Sequence, residues 1–209
     1  MEEVEMNLNN LGYRQSPANN DLLDKTMLVL TPDFPDKNNE YIGSIFVKNQ
    51  LDFLKQYFKK IIVIAPVFYS AGILPNDRYC QNYIYDNITV YYPRCIFIPR
   101  CVSIPLLNNS DKLFFDTRLS TVLNFIRHEH LEFDLVHAHF TWPSAYIAVK
   151  IKEKHHVPVV VTIHEDSGWL QEEIAMNNPR LISAWQNADA LIRVNREELP
   201  LFEKFNPSV

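Results

Sequence analysis

Short apolar runs alternating with helix-spaced stripes set the architecture of this chain. Residues 27–31, 61–65, 157–163 and 190–194 are runs made mostly of Val, Ile and Leu, and 133–140 is a further run broken by His137 and His139. A strand covered by helices on both faces reads in this continuous way, because neither face meets water. Pro32 closes the first run and Pro66 the second. Between runs the apolar period changes. Val47, Leu51, Leu54 and Phe58 recur at helical spacing after the first, and Phe115, Leu119, Val122 and Ile126 do so before 133–140. Behind Pro143, Ala145, Ala148, Val149 and Lys152 continue at the same spacing toward 157–163. Strand, helix, strand in that order is a βαβ unit, whose crossover makes the two strands parallel. The pattern predicts an α/β fold: a Rossmann-like, doubly wound, mostly parallel sheet of six or seven strands with helices on both faces.

Local signals place the helix ends. Ser110 is a cap candidate for the helix carrying Phe115 to Ile126, and RHEH at 127–130 gives it a basic end. His128 and His130 therefore read as structural residues on an exposed helix terminus. Pro143 suits a first helical turn, Ser167 opens a helical stretch to about Asn177, and Asn178-Pro179 opens the next. Asn195 with Glu198 forms a capping box for the last helix. The stretch 67–109 departs from this regularity. Tyr83-Ile84-Tyr85 and 88–92 flank Asp86-Asn87, which predicts a hairpin. The following YYPRCIFIPRCVSIP, with Arg94 and Arg100, reads as a loop packed on the sheet end, or as an acceptor- or membrane-touching lip if its apolar groups are exposed. Residues 1–25, polar and without period, are expected to be a flexible arm, leaving 26–209 as one domain.

Composition narrows the function classes. The net charge of −5 and the absence of Lys/Arg clusters argue against a nucleic-acid partner. No apolar run is long enough to cross a membrane, and the start MEEVEMNLNN is acidic where a secretion signal is basic, so a cytoplasmic location is expected. Cys80, Cys95 and Cys101 are odd in number and form no CxxC pair, which reads as reduced, unpaired thiols.

In open parallel sheets ligands bind beyond the carboxyl ends of the strands. His139 and His164 fall at such ends. Gly43-Ser44 sits between the first strand and a helix start, where free N–H groups and the positive helix end converge into an anion site. The pair His137 and His139 lies on one strand face, and with His164, Glu165 and Asp166 it is also how a metal hydrolase site would begin. His137, deeper in its strand, reads as a core histidine.

The segment DLVHAHFTWPSAYIAV…VPVVVTIHEDS resembles the N-terminal, acceptor-side domain of the retaining GT-B glycosyltransferases of family 4, and the similarity runs over roughly residues 26–205. The resemblance implies one half of a GT-B fold, completed by a second Rossmann-like domain in cis or in trans. It implies a transferase of the hexosyltransferase type that moves a sugar from a nucleotide-sugar donor to a saccharide or lipid-linked acceptor, as in polysaccharide biosynthesis, with no metal or other cofactor. His164 takes the catalytic position, Gly43 and Ser44 face the donor phosphates, and His139 and Glu165 shape the pocket. Glu165 stands where the family usually has a small residue, and its carboxylate repels a donor phosphate unless it turns away. By the same resemblance the chain alone is inactive, and it works in the cytoplasm or peripherally on the inner face of the cell membrane. Two other readings stand beside it: a natural half-enzyme or acceptor-binding module completed by a separate chain, and the metal-dependent hydrolase built on the HxH pair.

Overall fold

A computed structural model describes residues 20–69, 79–96, 110–194, 199–203 and 205. Nine strands are assigned among them: β1 (Thr26–Leu30), β2 (Lys60–Ile64), β3 (Val67–Phe68), β4 (Tyr83–Tyr85), β5 (Ile88–Tyr91), β6 (Arg94–Cys95), β7 (Leu135–His139), β8 (Val159–Ile163) and β9 (Ala190–Arg193). Seven of them form one sheet in the order β4-β5-β2-β1-β7-β8-β9. Every neighbouring pair in it is parallel except the β4–β5 hairpin. The chain winds outward from β1 through β2 to β5, then crosses back to β7 and winds the other way. This is the doubly wound Rossmann order, and its direction reverses between β1 and β7.

Helices cover both faces. On one face, α1 (Ile45–Leu54) packs Val47 and Leu51 against Met27, Val29, Ile61 and Val63. On the other lie α2 (Ser110–His128), α3 (Tyr146–His155) and α5 (Pro179–Asn187), with Val122, Ile126, Ile147, Ile151 and Trp185 against Leu28, Leu30, Ile62 and Val136. Successive strand residues thus serve opposite cores, as the two-residue period of a strand requires. Each strand residue in β1 from Met27 onward is buried, which explains the continuous apolar runs.

Two aspartates start the strands in register. Asp134, just before β7, accepts a hydrogen bond from the Thr26 N–H at 2.8 Å and binds Lys25 Nζ at 3.1 Å. Asp189, just before β9, accepts from the Val159 N–H at 2.8 Å and binds Lys152 Nζ at 2.7 Å. In each case a first N–H of a neighbouring strand gains a charged acceptor.

The hairpin is present, with Asp86 at φ 50° and the Asn87 amide donating to the carbonyls of Lys55 and Phe58. Tyr83 and Tyr92 each donate a hydroxyl to the Pro35 carbonyl at 2.7 Å, tying it to the loop after β1. The two-residue parallel ladder of β3 and β6 was not expected from sequence. Some helix boundaries shift: α2 already contains Ser110, and α4 (Ser167–Ala175) stops short of Asn177. Asn178 caps α5, with Pro179 in its first turn, as the sequence indicated. Cys80 and Cys95 are buried thiols outside any disulfide. Residues 1–19, the 97–109 part of the lip with Arg100 and Cys101, and the capping pair Asn195 and Glu198 lie outside the described residues. Among those described, α6 (Leu199–Glu203) is the last helix, and no helix is long and apolar enough to cross a membrane.

Candidate active site at the switch point

The reversal between β1 and β7 opens a crevice at the carboxyl edge, and four elements bring side chains to it. β7 ends in His139, and Phe140 follows at φ 69° and ψ 145°, a region that a residue with a Cβ adopts only under strain. His164 follows β8 directly. From α1 come Phe46 and Gln50, and Val194 comes from the end of β9. Phe46, Gln50, Phe140, His164 and Val194 line a pocket of about 430 Å³. The Phe46 and Phe140 rings lie 4.7 and 4.9 Å from the His164 ring, so the imidazole is held between two aromatic walls. A larger hollow of about 720 Å³ lies at the opposite edge of the sheet. Its lysine, Lys152, is already bound by Asp189, and strand amino ends are not where this fold places ligands.

The three histidines share one sheet face through strand register. His137 pairs with Val160 and His139 with Thr162 across β7 and β8, so His137, His139, Thr162 and His164 all point to the α1 side. His137 is buried, with Nε2 2.8 Å from Thr162 Oγ1, the satisfied core histidine expected of it. His139 is fully buried, with Nδ1 3.0 Å from His164 Nε2. Burial, and then the neighbouring His164, pushes the His137 pKa down to about 4. Burial and the Arg193 guanidinium push His164 down to about 4, and burial with both neighbours drives His139 lower still. All three rings are neutral at pH 7. The hydrolase reading needs the HxH pair to turn lone pairs toward one point, whereas His137 Nε2 faces Thr162 and His139 Nδ1 faces His164. Among the described residues, no three His, Cys, Asp or Glu side chains are grouped to hold a metal ion.

Glu165 turns away from the pocket. Its carboxylate accepts from the Thr141 N–H at 2.6 Å, the Trp142 N–H at 3.2 Å and the His164 N–H at 3.2 Å. The Thr141 hydroxyl, 3.4 Å from Glu165, in turn accepts from Trp185 Nε1 at 3.0 Å. The side chain therefore closes the amino end of the helical turn Thr141–Ala145 that leads into α3. Burial raises its pKa, opposed by those N–H groups. The carboxylate thus takes the turned-away orientation rather than facing the pocket.

Helix α4 is also closed by a carboxylate, since Asp166 accepts from the Trp169 N–H at 3.0 Å. Helix α1 differs. Its cap residue Ser44 makes no side-chain bond to the helix, and its hydroxyl donates to Asp33 instead. No acidic residue stands in its first turn, so the positive end of α1 is not neutralised from within the helix. Ser44 takes the left-handed conformation, φ 47°. Gly43 has a different reason: a Cβ there would lie 2.7 Å from the Tyr41 hydroxyl oxygen. The structure brings His139, His164 and Glu165 together at the crevice, with the Gly43-Ser44 loop at the start of the helix that carries Phe46.

Phe46, Gln50, Phe140 and Arg193 were not singled out from sequence. Phe46 had a readable signal, as a large apolar residue off the Val47–Leu51 stripe. Arg193 did not: its guanidinium stands 4.8 Å over the Phe202 ring and interacts with Glu165 and His164, a placement only the sheet order reveals.

Comparison with known proteins follows this geometry. No curated protein sequence matches the chain. Similar solved structures include Arabidopsis thaliana UGT89C1 complexed with UDP, at 13% identity and a TM-score of 0.49, covering 86% of this chain and 47% of that one. Another is a putative UDP-N-acetylglucosamine 2-epimerase from Listeria monocytogenes, at 11% identity and a TM-score of 0.48, covering 87% and 42%. The chain spans less than half the length of either. The family model for Glycosyltransferase Family 4 matches residues 80–205, a span that contains His137, His139, His164 and Glu165 and begins after the Gly43-Ser44 loop. By that match, over more than half its length, the chain belongs to Glycosyltransferase Family 4.

Proposed function

We propose that this chain is the acceptor-side half of a retaining glycosyltransferase. A second domain, joined in cis or supplied in trans, would hold most of a nucleotide-sugar over the crevice, and the acceptor, a saccharide or lipid-linked sugar, would bind on this half. The observation that carries the reading is the meeting, at one switch point, of an aromatic-walled pocket holding a neutral histidine with a helix end free of internal carboxylates. When the bond between the sugar and the diphosphate breaks, negative charge grows on the phosphate oxygens. Backbone N–H groups and the positive end of α1 suit that charge without reorganising. His164, neutral and clamped between Phe46 and Phe140, offers a hydrogen bond to the transferred sugar rather than a charge. Glu165 and Asp166 are engaged with their own helix turns, and the carboxylate that a phosphate at α1 would meet is Asp33, which Ser44 holds through its hydroxyl. None of these roles calls for a metal ion. A lipid-linked acceptor would place the enzyme in the cytoplasm at the membrane surface.

The test compares the 209-residue chain with the same chain joined to its second domain, in a transfer assay across nucleotide-sugars and by calorimetry. The joined form should transfer sugar. Alone, the chain should fold and transfer none, because positioning of donor against acceptor supplies roughly 7–11 kcal/mol of the barrier. Its nucleotide affinity should be on the order of millimolar, that of a few hydrogen bonds set against the cost of association. Sustained turnover or micromolar nucleotide binding by the chain alone would show that this half carries its own donor site. A metal requirement for activity would revive the hydrolase class.

A further inference from the structure

The contact between His139 and His164 joins two neutral imidazoles through Nδ1 of the first and Nε2 of the second, 3.0 Å apart. One nitrogen must carry the proton and the other must offer its lone pair. Only two arrangements satisfy this. If His164 Nε2–H donates, His139 must hold its own proton on Nε2. If His139 Nδ1–H donates, His139 Nε2 is bare and His164 must hold its proton on Nδ1.

The surroundings of His139 choose between them. Its Nε2 is buried and meets no hydrogen-bond partner among the described residues, while the ring lies tilted against that of His137 with centroids 4.3 Å apart. A proton there would be a buried, unpaired donor, which folded proteins avoid more strictly than an unpaired acceptor. The in-plane lone pair of a bare ring nitrogen is the cheaper group to leave alone. His164 Nδ1, by contrast, has no partner among the described residues, is not a buried orphan, and belongs to a ring that lines the pocket.

We infer that His139 is a positioning residue that fixes the tautomer of His164, so that His164 presents Nδ1–H to the pocket as a neutral donor and selects an oxygen acceptor there. The ligand group it takes is a hydroxyl, carbonyl or anionic oxygen, not a donor N–H. Identifying that oxygen as part of a sugar rests on the transferase reading, whereas the tautomer itself does not. Burial, and then Arg193, keep a second proton off His164. Thr162, hydrogen-bonded to His137, holds the neighbouring ring in place.

The experiment is nitrogen-detected NMR of the intact protein labelled at histidine with ¹⁵N, at pH 7, with signals assigned by single substitution. Nitrogen shifts distinguish protonated from bare ring positions directly, with no substrate and no turnover needed. His164 should be protonated at Nδ1 and bare at Nε2, and His139 likewise protonated at Nδ1. Protonation of His164 at Nε2, or rapid averaging between its two tautomers, overturns the inference. Two variants probe the cause. Asparagine can place an N–H donor where Nδ1 stood, so His139→Asn should keep His164 in the same single tautomer. His139→Phe fills the space without a donor and should let the His164 tautomers mix. A folded His139→Phe protein in which His164 stays locked at Nδ1 would show that the lock lies elsewhere, as would loss of the lock in His139→Asn. Should neither variant fold, the spectrum of the natural protein still decides. If the tautomer is as stated but no sugar is transferred, the transferase reading fails and this one stands.

Discussion

At the residue scale the site depends on where three side chains point. Glu165 is a carboxylate buried beside the crevice, and it is tolerated because Thr141 and Trp142 supply N–H groups to receive it. Glu165→Ala should leave those donors without their acceptor and cost about 2 kcal/mol of stability, whereas Glu165→Gln, which retains an acceptor oxygen, should cost less than about 1 kcal/mol. Urea unfolding of the two variants measures this, and equal losses would mean that the carboxylate does not hold the turn. Gly43 belongs to a different class of constraint. Its φ is not in the left-handed region, yet a Cβ there would press on the Tyr41 ring. Gly43→Ala should therefore cost about 1–2 kcal/mol, and far less in a Tyr41→Ala background, the coupling expected of touching residues. An identical cost in both backgrounds would remove Tyr41 from the explanation. Much of this was legible in the chain: His139 and His164 fall at strand ends, and Ser44 precedes an amphipathic stripe. What was not legible is orientation. Nothing in HED at 164–166 says that Glu165 folds back on the preceding loop, because that choice depends on how β7 and β8 lie side by side.

At the element scale, strand order is fixed by short clips as well as by apolar faces. Asp134 and Asp189 each tie the first N–H of a neighbouring strand and a lysine, and both carboxyls are held below their ordinary pKa. For Asp134 the Thr26 N–H is the main cause; for Asp189 the bonds from Lys152 and Val159 outweigh burial. A carboxylate with a depressed folded pKa contributes stability that is fully present above its unfolded pKa, near 4, and is lost as pH falls through the folded value. Asp189→Asn should cost about 1 kcal/mol at pH 7 and lose part of the decline in stability seen on acidification below pH 4. Unfolding midpoints across that range report it, and an unchanged acid profile would mean the clip is idle. Apolar runs predicted five of the six parallel strands, since burial on both faces demands them, whereas β5 was read only as an arm of the hairpin. The β3–β6 ladder left no such trace, because two residues per strand are too few to show a period. Helix ends drifted by a residue or two where the stop signal was weak, as at α4, while the strong Asn178-Pro179 signal located α5.

At the scale of the whole molecule, the doubly wound order creates the site. The chain must leave β1 in one direction and later return to β7 in the other, and only at that reversal do α1, β7, β8 and β9 present their ends to one space. The parallel α/β class followed from the pattern of runs, but the return to β7 did not, so Phe46, Phe140 and Arg193 could not be assembled from sequence. The central claim is that this crevice is where sugar is transferred and that His164 touches the reacting sugar. The most direct measurement is kcat/KM for sugar transfer by the His164→Ala variant of the two-domain protein, taken with its melting temperature. Losing a preorganised contact that strengthens in the transition state should lower turnover by about 10²–10³-fold, with the protein still folded and its melting temperature lower by only the few degrees that the lost acceptor of the buried His139 costs. Turnover within a few-fold of the natural protein in a fully folded variant would contradict the account and take the chemistry away from this crevice.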